Sequence, residues 1–223
     1  MPAISPNLYQ AMFRQVYFVN GTACAGKSTL VRNLAEKHHG IMCGENYHDD
    51  LVHLTDAAHQ PALHYLKDSP DWHAFLSRTP EEYAAWIDAV SREAAELELL
   101  LLTRLTAYGR PIFVDTNIPP ETLREIGANT LIMLSPQSMS VERFFDREDP
   151  EKQFLLSQLE AFPDPEAAKA NFRACLAKIN SPENYAALES SGFPVYIRRE
   201  DSTPGEAIAF AEAVFGLGAP AAE

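Results

Sequence analysis

The chain has 223 residues, of which 46% are hydrophobic and 22% are charged. This length suits one α/β domain, and the composition is that of an ordinary soluble globular protein. With 18 basic and 31 acidic residues the formal net charge is −13, which disfavours nucleic acid as a partner because its phosphates would be repelled. The apolar stretch 97–102 is too short to span a membrane and no signal-peptide pattern begins the chain, so we expect a cytoplasmic protein without a membrane partner.

Apolar runs alternate with helical patterns along the chain. Strands are predicted at 16–19, 41–43, 111–115, 130–134 and 195–197. Helices are predicted at 28–39, 56–66, 70–76, 79–108, 119–126, 138–180, 181–191 and 203–215, with Gly40 ending the first of them. This alternation is typical of a parallel sheet covered by helices on both faces. The segment 51–110 is too long for a crossover loop and predicts a helical insertion on the substrate side.

A phosphate-binding loop is predicted between the first strand and the first long helix. The pattern G-x-x-x-x-G-K-[ST] is matched by Gly21, Thr22, Ala23, Cys24, Ala25, Gly26, Lys27, Ser28 and Thr29. In such a loop backbone N–H groups wrap a phosphate chain, the lysine reaches the β- and γ-phosphates, and the following hydroxyl ligates Mg²⁺. We therefore expect ATP and Mg²⁺ as cofactors.

Acidic residues follow two of the predicted strands. Asp115 ends the third strand, where an acid commonly supports the Mg²⁺ ion; the alternative is an acid that caps the next turn. In the loop after the second strand, Glu45 is the first candidate for the base or a substrate contact, and Asp49 is the second. His48 is the histidine expected to touch substrate. The alternative for this loop is a solvated acidic turn.

Two arginines and the metal-binding residue types complete the candidate site. Arg143 and Arg147 are four residues apart within a predicted lid at 138–162, where they could stabilise a transferring phosphoryl group. The alternative is that they pair with nearby acids. The histidines between 48 and 73 lack the spacing of a transition-metal site, and the three cysteines form no zinc pattern, so reduced thiols are expected.

These motifs resemble P-loop kinases of the nucleoside-monophosphate-kinase-like group. The resemblance rests on Gly21–Thr29, Val114-Asp115, the arginine pair and the segment Arg198–Glu206. Within the group, Gly44–His48 is similar to the G-D-x-L-H stretch of gluconate-kinase-like enzymes, although Glu45 replaces their aspartate and residues 115–117 differ. The resemblance implies a three-layer α/β/α sandwich with strand order 2-3-1-4-5, a helical lid, and adenine held near Arg198 and Pro204.

The sequence as a whole predicts one P-loop kinase domain over residues 1–223. Its expected activity is ATP- and Mg²⁺-dependent transfer of the γ-phosphoryl group to a hydroxyl of a small metabolite. The alternatives are a nucleotide-binding regulatory NTPase without a small-molecule acceptor, and a nucleotide-binding protein without catalysis. The expected partner is the small-molecule acceptor, and the chain is expected to be a monomer or a homodimer.

Overall fold

One parallel sheet organises the computed structural model, which describes residues 5–65, 67, 70–142, 144–145 and 150–218. Within these ranges the strands are hydrogen-bonded in the order β2-β3-β1-β4-β5. They comprise β1 Val16–Gly21, β2 Ile41–Cys43, β3 Ile112–Asp115, β4 Asn129–Leu134 and β5 Val195–Ile197. The five predicted strands and the order implied by the resemblance are confirmed.

Strand register brings the ends of β1, β3 and β4 to one edge of the sheet. Val19 lies opposite Asp115 in the β1–β3 pair, and Gly21 lies opposite Met133 in the β1–β4 pair. All strands run parallel, so the loops that follow them leave from the same edge. The predicted phosphate-binding loop, residues 21–29, and Asp115 are therefore neighbours.

Helices cover the sheet and extend beyond it. Those before β3 are α1 Pro6–Met12, α2 Lys27–Lys37, α3 Asp49–Val52, α4 Pro61–His64, α5 Trp72–Leu76 and α6 Pro80–Leu105. A 3₁₀ turn at Thr106–Tyr108 continues α6. Those after β3 are α7 Pro120–Glu125, α8 Gln137–Glu142, α9 Pro150–Glu160, α10 Pro165–Ile179, α11 Pro182–Glu189 and α12 Pro204–Phe215. Among these described helices, none combines the length and apolar character needed to cross a bilayer.

Two separate apolar cores lie on opposite faces of the sheet, which gives three layers. On one face Phe18 and Val114 pack with Leu102 of α6. On the other face Phe113 and Met133 pack with helices α2 and α12. Successive residues of β3 thus point into different cores, as the alternation of side chains along a strand requires.

The long helix α6 begins where its sequence predicts. Thr79 and Glu82 form a capping box: the Glu82 N–H donates to Thr79 Oγ1 at 3.2 Å, and the Thr79 N–H donates to Glu82 Oε2 at 2.9 Å. Pro80 occupies the first helical position, where its missing N–H costs no hydrogen bond. The second predicted box, at Thr203 and Glu206, opens α12 in the same way.

Three helix predictions need correction. Helix α2 ends at Lys37, and His39 rather than Gly40 takes the left-handed conformation, with φ 51°. Gly40 is required for space, because a Cβ there would lie 2.7 Å from the Phe113 ring. The predicted helix 56–66 is a four-residue helix, α4, and the predicted helix 138–180 contains the separate helices α8, α9 and α10. Hydrophobic periodicity did not reveal the interruptions between packed helices.

Candidate active site

The predicted phosphate-binding loop contains two glycines, Gly21 and Gly26, that are required for different reasons. Gly21 has φ 135°, and a Cβ there would lie 1.8 Å from the Met133 carbonyl oxygen, so close contact with β4 demands glycine. Gly26 has φ 93°, and a Cβ there would meet only ordinary van der Waals neighbours, at 3.8 and 3.9 Å, so backbone conformation alone demands glycine. Cys24 also adopts a left-handed conformation, with φ 60°. The loop is thus a tight turn between β1 and α2.

Side chains from outside the motif hold the loop's carbonyl groups. Ser135 and Ser140 both donate from Oγ to the Ala23 carbonyl, at 2.7 and 2.8 Å, and Arg198 Nη1 donates to the Cys24 carbonyl at 2.6 Å. In a planar trans peptide, the N–H of each residue points away from the carbonyl of the residue before it. The N–H groups of residues 24–26 make no hydrogen bond within the described part of the chain, so they are available to an anion.

Lys27, Ser28 and Asp115 meet beside the loop. Ser28 Oγ donates to Asp115 Oδ2 at 2.6 Å, and Lys27 Nζ lies 3.9 Å from Asp115 Oδ1. Asp115 is fully buried, and its Oδ1 makes no hydrogen bond with any residue in the described ranges. A hydroxyl and a buried carboxylate oxygen that lacks a hydrogen bond are suitable ligands for a hard cation such as Mg²⁺.

The electrostatics of Asp115 also fit a cation. Burial raises the pKa of this carboxyl above its usual value, and the negative charges of Glu45 and Glu98 raise it further. Lys27 and the Ser28 hydroxyl act in the opposite direction but do not offset the burial. A divalent cation would stabilise the ionised form of this carboxylate.

The loop after β2, residues 44–50, contains the other predicted acids and a buried histidine; we call it the acceptor loop. Glu45 and Asp49 are exposed, whereas His48 is buried. His48 Nδ1 lies 3.0 Å from Glu98 Oε1, and His48 Nε2 lies 3.8 Å from Asp49 Oδ1. A carboxylate can only accept a hydrogen bond, so the contact with Glu98 assigns the ring proton to Nδ1, and Nε2 lies on the side of the exposed Asp49.

Glu98 is a buried carboxylate that the sequence interpretation missed. It lies in α6 with 2% of its surface exposed, and its Oε2 accepts a hydrogen bond from Thr116 Oγ1 at 2.6 Å. Its charge adds to burial in raising the pKa of Cys43 to about 12 and that of Tyr47 well above its usual range. Glu98 thus links the loop after β2 to the end of β3.

A signal for Glu98 was present in the sequence. It lies four residues after Ala94 and four before Leu102, which places it on the buried face of α6. A glutamate on the apolar face of a helix requires a partner, because an unpaired buried charge is costly. Its partner follows a different strand, fifty residues earlier, so the spacing within the helix could not identify it.

A cleft of about 1890 Å³ connects the phosphate-binding loop with the acceptor loop. Ligand pockets commonly enclose roughly 300–1,000 Å³, so this cleft has room for two ligands. Among the described residues, those that were predicted for the site and line this cleft are Gly21, Thr22, Ala23, Cys24, Ala25, Gly26, Lys27, Ser28, Thr29, Glu45, His48, Asp49 and Arg198.

A smaller pocket of about 140 Å³ adjoins the start of α2. Gly26, Thr29 and Asn33 line one side, and Arg198 and Pro204 line the other. Arg198 is shared with the large cleft. The two residues that the resemblance associates with adenine are therefore together in one pocket beside the phosphate-binding loop.

Arg143 and Arg147 lie outside the described residues, so their predicted place over the phosphates is not tested. Within the described ranges, no group of three or more histidine, cysteine, aspartate or glutamate residues is arranged to hold a metal ion. The cysteines Cys24, Cys43 and Cys175 are free and buried.

Comparisons with known proteins leave the chain without a family. No protein-family model and no curated protein match it. Among solved structures, it is similar to dephospho-CoA kinase from Campylobacter jejuni, with 15% sequence identity and a TM-score of 0.40. That alignment covers 91% of this chain and 96% of the other.

Proposed function

We propose that this protein is an ATP- and Mg²⁺-dependent kinase that transfers the γ-phosphoryl group to a hydroxyl of a small molecule. The observation that carries the proposal is one cleft lined by two unlike sets of residues. Lys27 and Ser28 belong to one set, and Glu45 and His48 belong to the other. A cleft that combines phosphate-binding groups with proton-accepting groups matches the needs of transfer between two bound substrates.

The phosphate-binding end would hold the donor. Free N–H groups of residues 24–26 and the start of α2 offer hydrogen bonds to phosphate oxygens, and Lys27 supplies a positive charge. The small pocket beside Arg198 and Pro204 would receive the base. Ser28 and Asp115 would hold Mg²⁺, which neutralises charge on the phosphates.

We assign acceptance of the substrate proton to His48, held by Glu98, in place of Glu45, which was the first candidate from the sequence. His48 is buried and its ring is fixed by the 3.0 Å contact between Nδ1 and Glu98 Oε1. Glu45 is exposed and makes no hydrogen bond with another described residue, so its position is less defined. A positioned base is what proton transfer requires. Glu45 and Asp49 would then contact the acceptor, and they are the next candidates for the base.

The chemistry balances with these residues. The acceptor oxygen forms a bond to the γ-phosphorus as the bond from that phosphorus to the bridging oxygen breaks. The proton of the acceptor hydroxyl passes to His48 Nε2, and Glu98 stabilises the imidazolium that results. The electron pair of the broken bond stays on ADP. The helical lid at 138–162, with Arg143 and Arg147, would close over the cleft and exclude water.

A labelled-phosphate assay tests this function. The purified chain is incubated with Mg²⁺ and ATP that carries a radiolabelled γ-phosphoryl group, with and without a panel of hydroxylated compounds. We expect label in an organic product and ADP formation that depends on the acceptor. Rapid release of labelled inorganic phosphate that no acceptor alters would instead indicate the regulatory NTPase. Lys27→Met is the control, because it removes the phosphate-binding charge while keeping the side-chain length.

A further inference from the structure

One wall of the large cleft is aromatic. Trp72 and Phe75 of α5, Trp86 and Ile87 of α6, and Phe154 of α9 line it. Phe75 is buried, whereas Trp72 and Trp86 are half-buried and Phe154 is 42% exposed. Aromatic surface therefore remains accessible inside the same cleft that contains the phosphate-binding loop. We call these five residues the aromatic wall.

The aromatic wall is preorganised by contacts among its rings. Phe75 and Trp86 meet edge to face with centroids 4.8 Å apart, and Trp72 meets Phe154 in the same way at 5.1 Å. The Arg78 guanidinium lies 4.6 Å from the Phe75 centroid and 5.2 Å from that of Trp86. Rings with these contacts keep their orientation without a ligand, so little order has to be gained on binding.

Basic residues that line the cleft near the aromatic wall include Lys67, Arg92 and Lys152, the last of which lies two residues before Phe154 in α9. Lys67 lines the cleft, but its Nζ already donates to the carbonyls of His53 and Thr55, at 3.2 and 3.4 Å. Arg92 lines the cleft as an exposed residue next to the exposed Asp88. The aromatic wall offers a large apolar surface, and the acceptor loop offers polar groups. The complementary ligand has an apolar body and a hydroxyl.

We propose that the phosphoryl acceptor is a hydroxylated compound with a flat aromatic body that packs on the aromatic wall while its hydroxyl reaches the acceptor loop. This inference rests on the kinase function proposed above. An aromatic ring fits because it stacks on tryptophan and phenylalanine with little loss of conformational freedom. A compact polyol would leave the aromatic wall without contact.

Tryptophan fluorescence provides a direct measurement of binding. The chain has two tryptophans, Trp72 and Trp86, and both line the cleft. The full chain, saturated with ADP and Mg²⁺, is titrated with matched pairs of elongated compounds: phenyl and methyl glycosides of the same disaccharides, and 1,2-diols with a long chain that ends in a phenyl or a methyl group. We expect the aromatic member of at least one pair to change the fluorescence and to bind at least about tenfold more tightly than its partner, a difference of ~1.4 kcal/mol.

Substitutions in the aromatic wall test whether it causes the preference for aromatic ligands. Phe154→Ala removes an exposed ring from the aromatic wall, so it should fold normally and weaken the aromatic ligand about tenfold, without changing the affinity for ADP. Trp86→Leu provides a second variant, in which ligand binding is measured by the fluorescence of the remaining Trp72. Tyr108→Ala is the matched control, because Tyr108 is 65% exposed and follows α6 outside the cleft lining. It should leave both affinities unchanged.

The outcomes separate the two proposals. Equal binding of aromatic and aliphatic members, binding of neither series, or an aromatic preference that survives both variants overturns the aromatic acceptor. Phosphorylation of an aliphatic polyol with no aromatic preference would overturn it while leaving the kinase function intact. Tight binding of an aromatic alcohol that is lost in Phe154→Ala, without any phosphoryl transfer, would support the aromatic site and contradict the kinase function.

Discussion

The pair formed by Glu98 and His48 can be tested by one isosteric substitution. Glu98→Ala is unsuitable, because it would leave the buried His48 ring N–H and the Thr116 hydroxyl without their acceptor, at about 1–3 kcal/mol for each group. Glu98→Gln keeps the volume and offers one acceptor oxygen and one NH₂ group. The Thr116 hydroxyl donates to Glu98 at 2.6 Å, so the glutamine oxygen should face Thr116 and its NH₂ group should face His48.

This substitution should reverse the hydrogen bond to His48. Nδ1 would then accept a hydrogen bond from the glutamine, and the ring proton would move to Nε2, the atom on the side of Asp49. A base that carries a proton at its reactive nitrogen cannot accept another from the substrate. We expect kcat to fall about 10²–10⁴-fold, the usual contribution of general base catalysis, with KM and the melting temperature nearly unchanged.

Thr116→Val is the matched control for this experiment. It removes the bond to the other oxygen of Glu98 and leaves the Ile118 N–H without its 3.0 Å acceptor, but it does not touch His48. A hydrogen bond to a charged group contributes about 1.5–3 kcal/mol, so this variant should lose stability while keeping most of its kcat. Both rates are measured with an acceptor from the labelled-phosphate assay. A kcat within about threefold of wild type in Glu98→Gln would refute the role of His48 and favour Glu45 or Asp49.

Three further variants test the loop and the packing around it. Gly21→Ala should lower the free energy of unfolding by at least ~3 kcal/mol in denaturant titrations, because a Cβ would overlap a carbonyl oxygen of β4. Arg198→Met should weaken ADP binding about tenfold in calorimetry, since it frees a carbonyl of the phosphate-binding loop. Hydrogen bonds from Lys37 and then His38 hold the pKa of Glu212 below its usual value. The stabilisation that ionised Glu212 contributes is therefore fully present above about pH 4.3, and it is lost as the pH falls through the pKa that Glu212 has in the folded state. In denaturant titrations, Glu212→Gln should therefore cost less than ~1 kcal/mol at neutral pH and nothing in acid.

The sheet could be predicted from the sequence because its information is local. Each strand is a short apolar run, and the loop between β1 and α2 has fixed residue types at fixed spacing. The position of Asp115 beside this loop could be predicted from its place at the end of a strand, because the carboxyl ends of parallel strands lie along one edge of the sheet. Strand order was available through the resemblance alone.

The residues that the sequence could not identify act across long separations. Ser135 and Ser140 hold the phosphate-binding loop from more than a hundred residues away, and nothing in their own neighbourhood marks them. The aromatic wall unites α5, α6 and α9, whose relative positions depend on tertiary packing. Periodicity identifies a buried helix face but not the element that it meets.

In the two proposals, different turns of helix α6 contribute to catalysis and to acceptor selectivity. Glu98, which holds the proposed base, and Trp86, which belongs to the aromatic wall, are twelve residues apart. At 1.5 Å per residue they are separated by about 18 Å along the axis. Sites farther apart than about 7–10 Å contribute additively, so substitutions at the aromatic wall can change acceptor affinity without disturbing the hydrogen bond to His48. An acceptor that contacts both the aromatic wall and the acceptor loop must be elongated. The preference of the protein for such an acceptor would be expressed in KM, whereas kcat would depend on the buried Glu98.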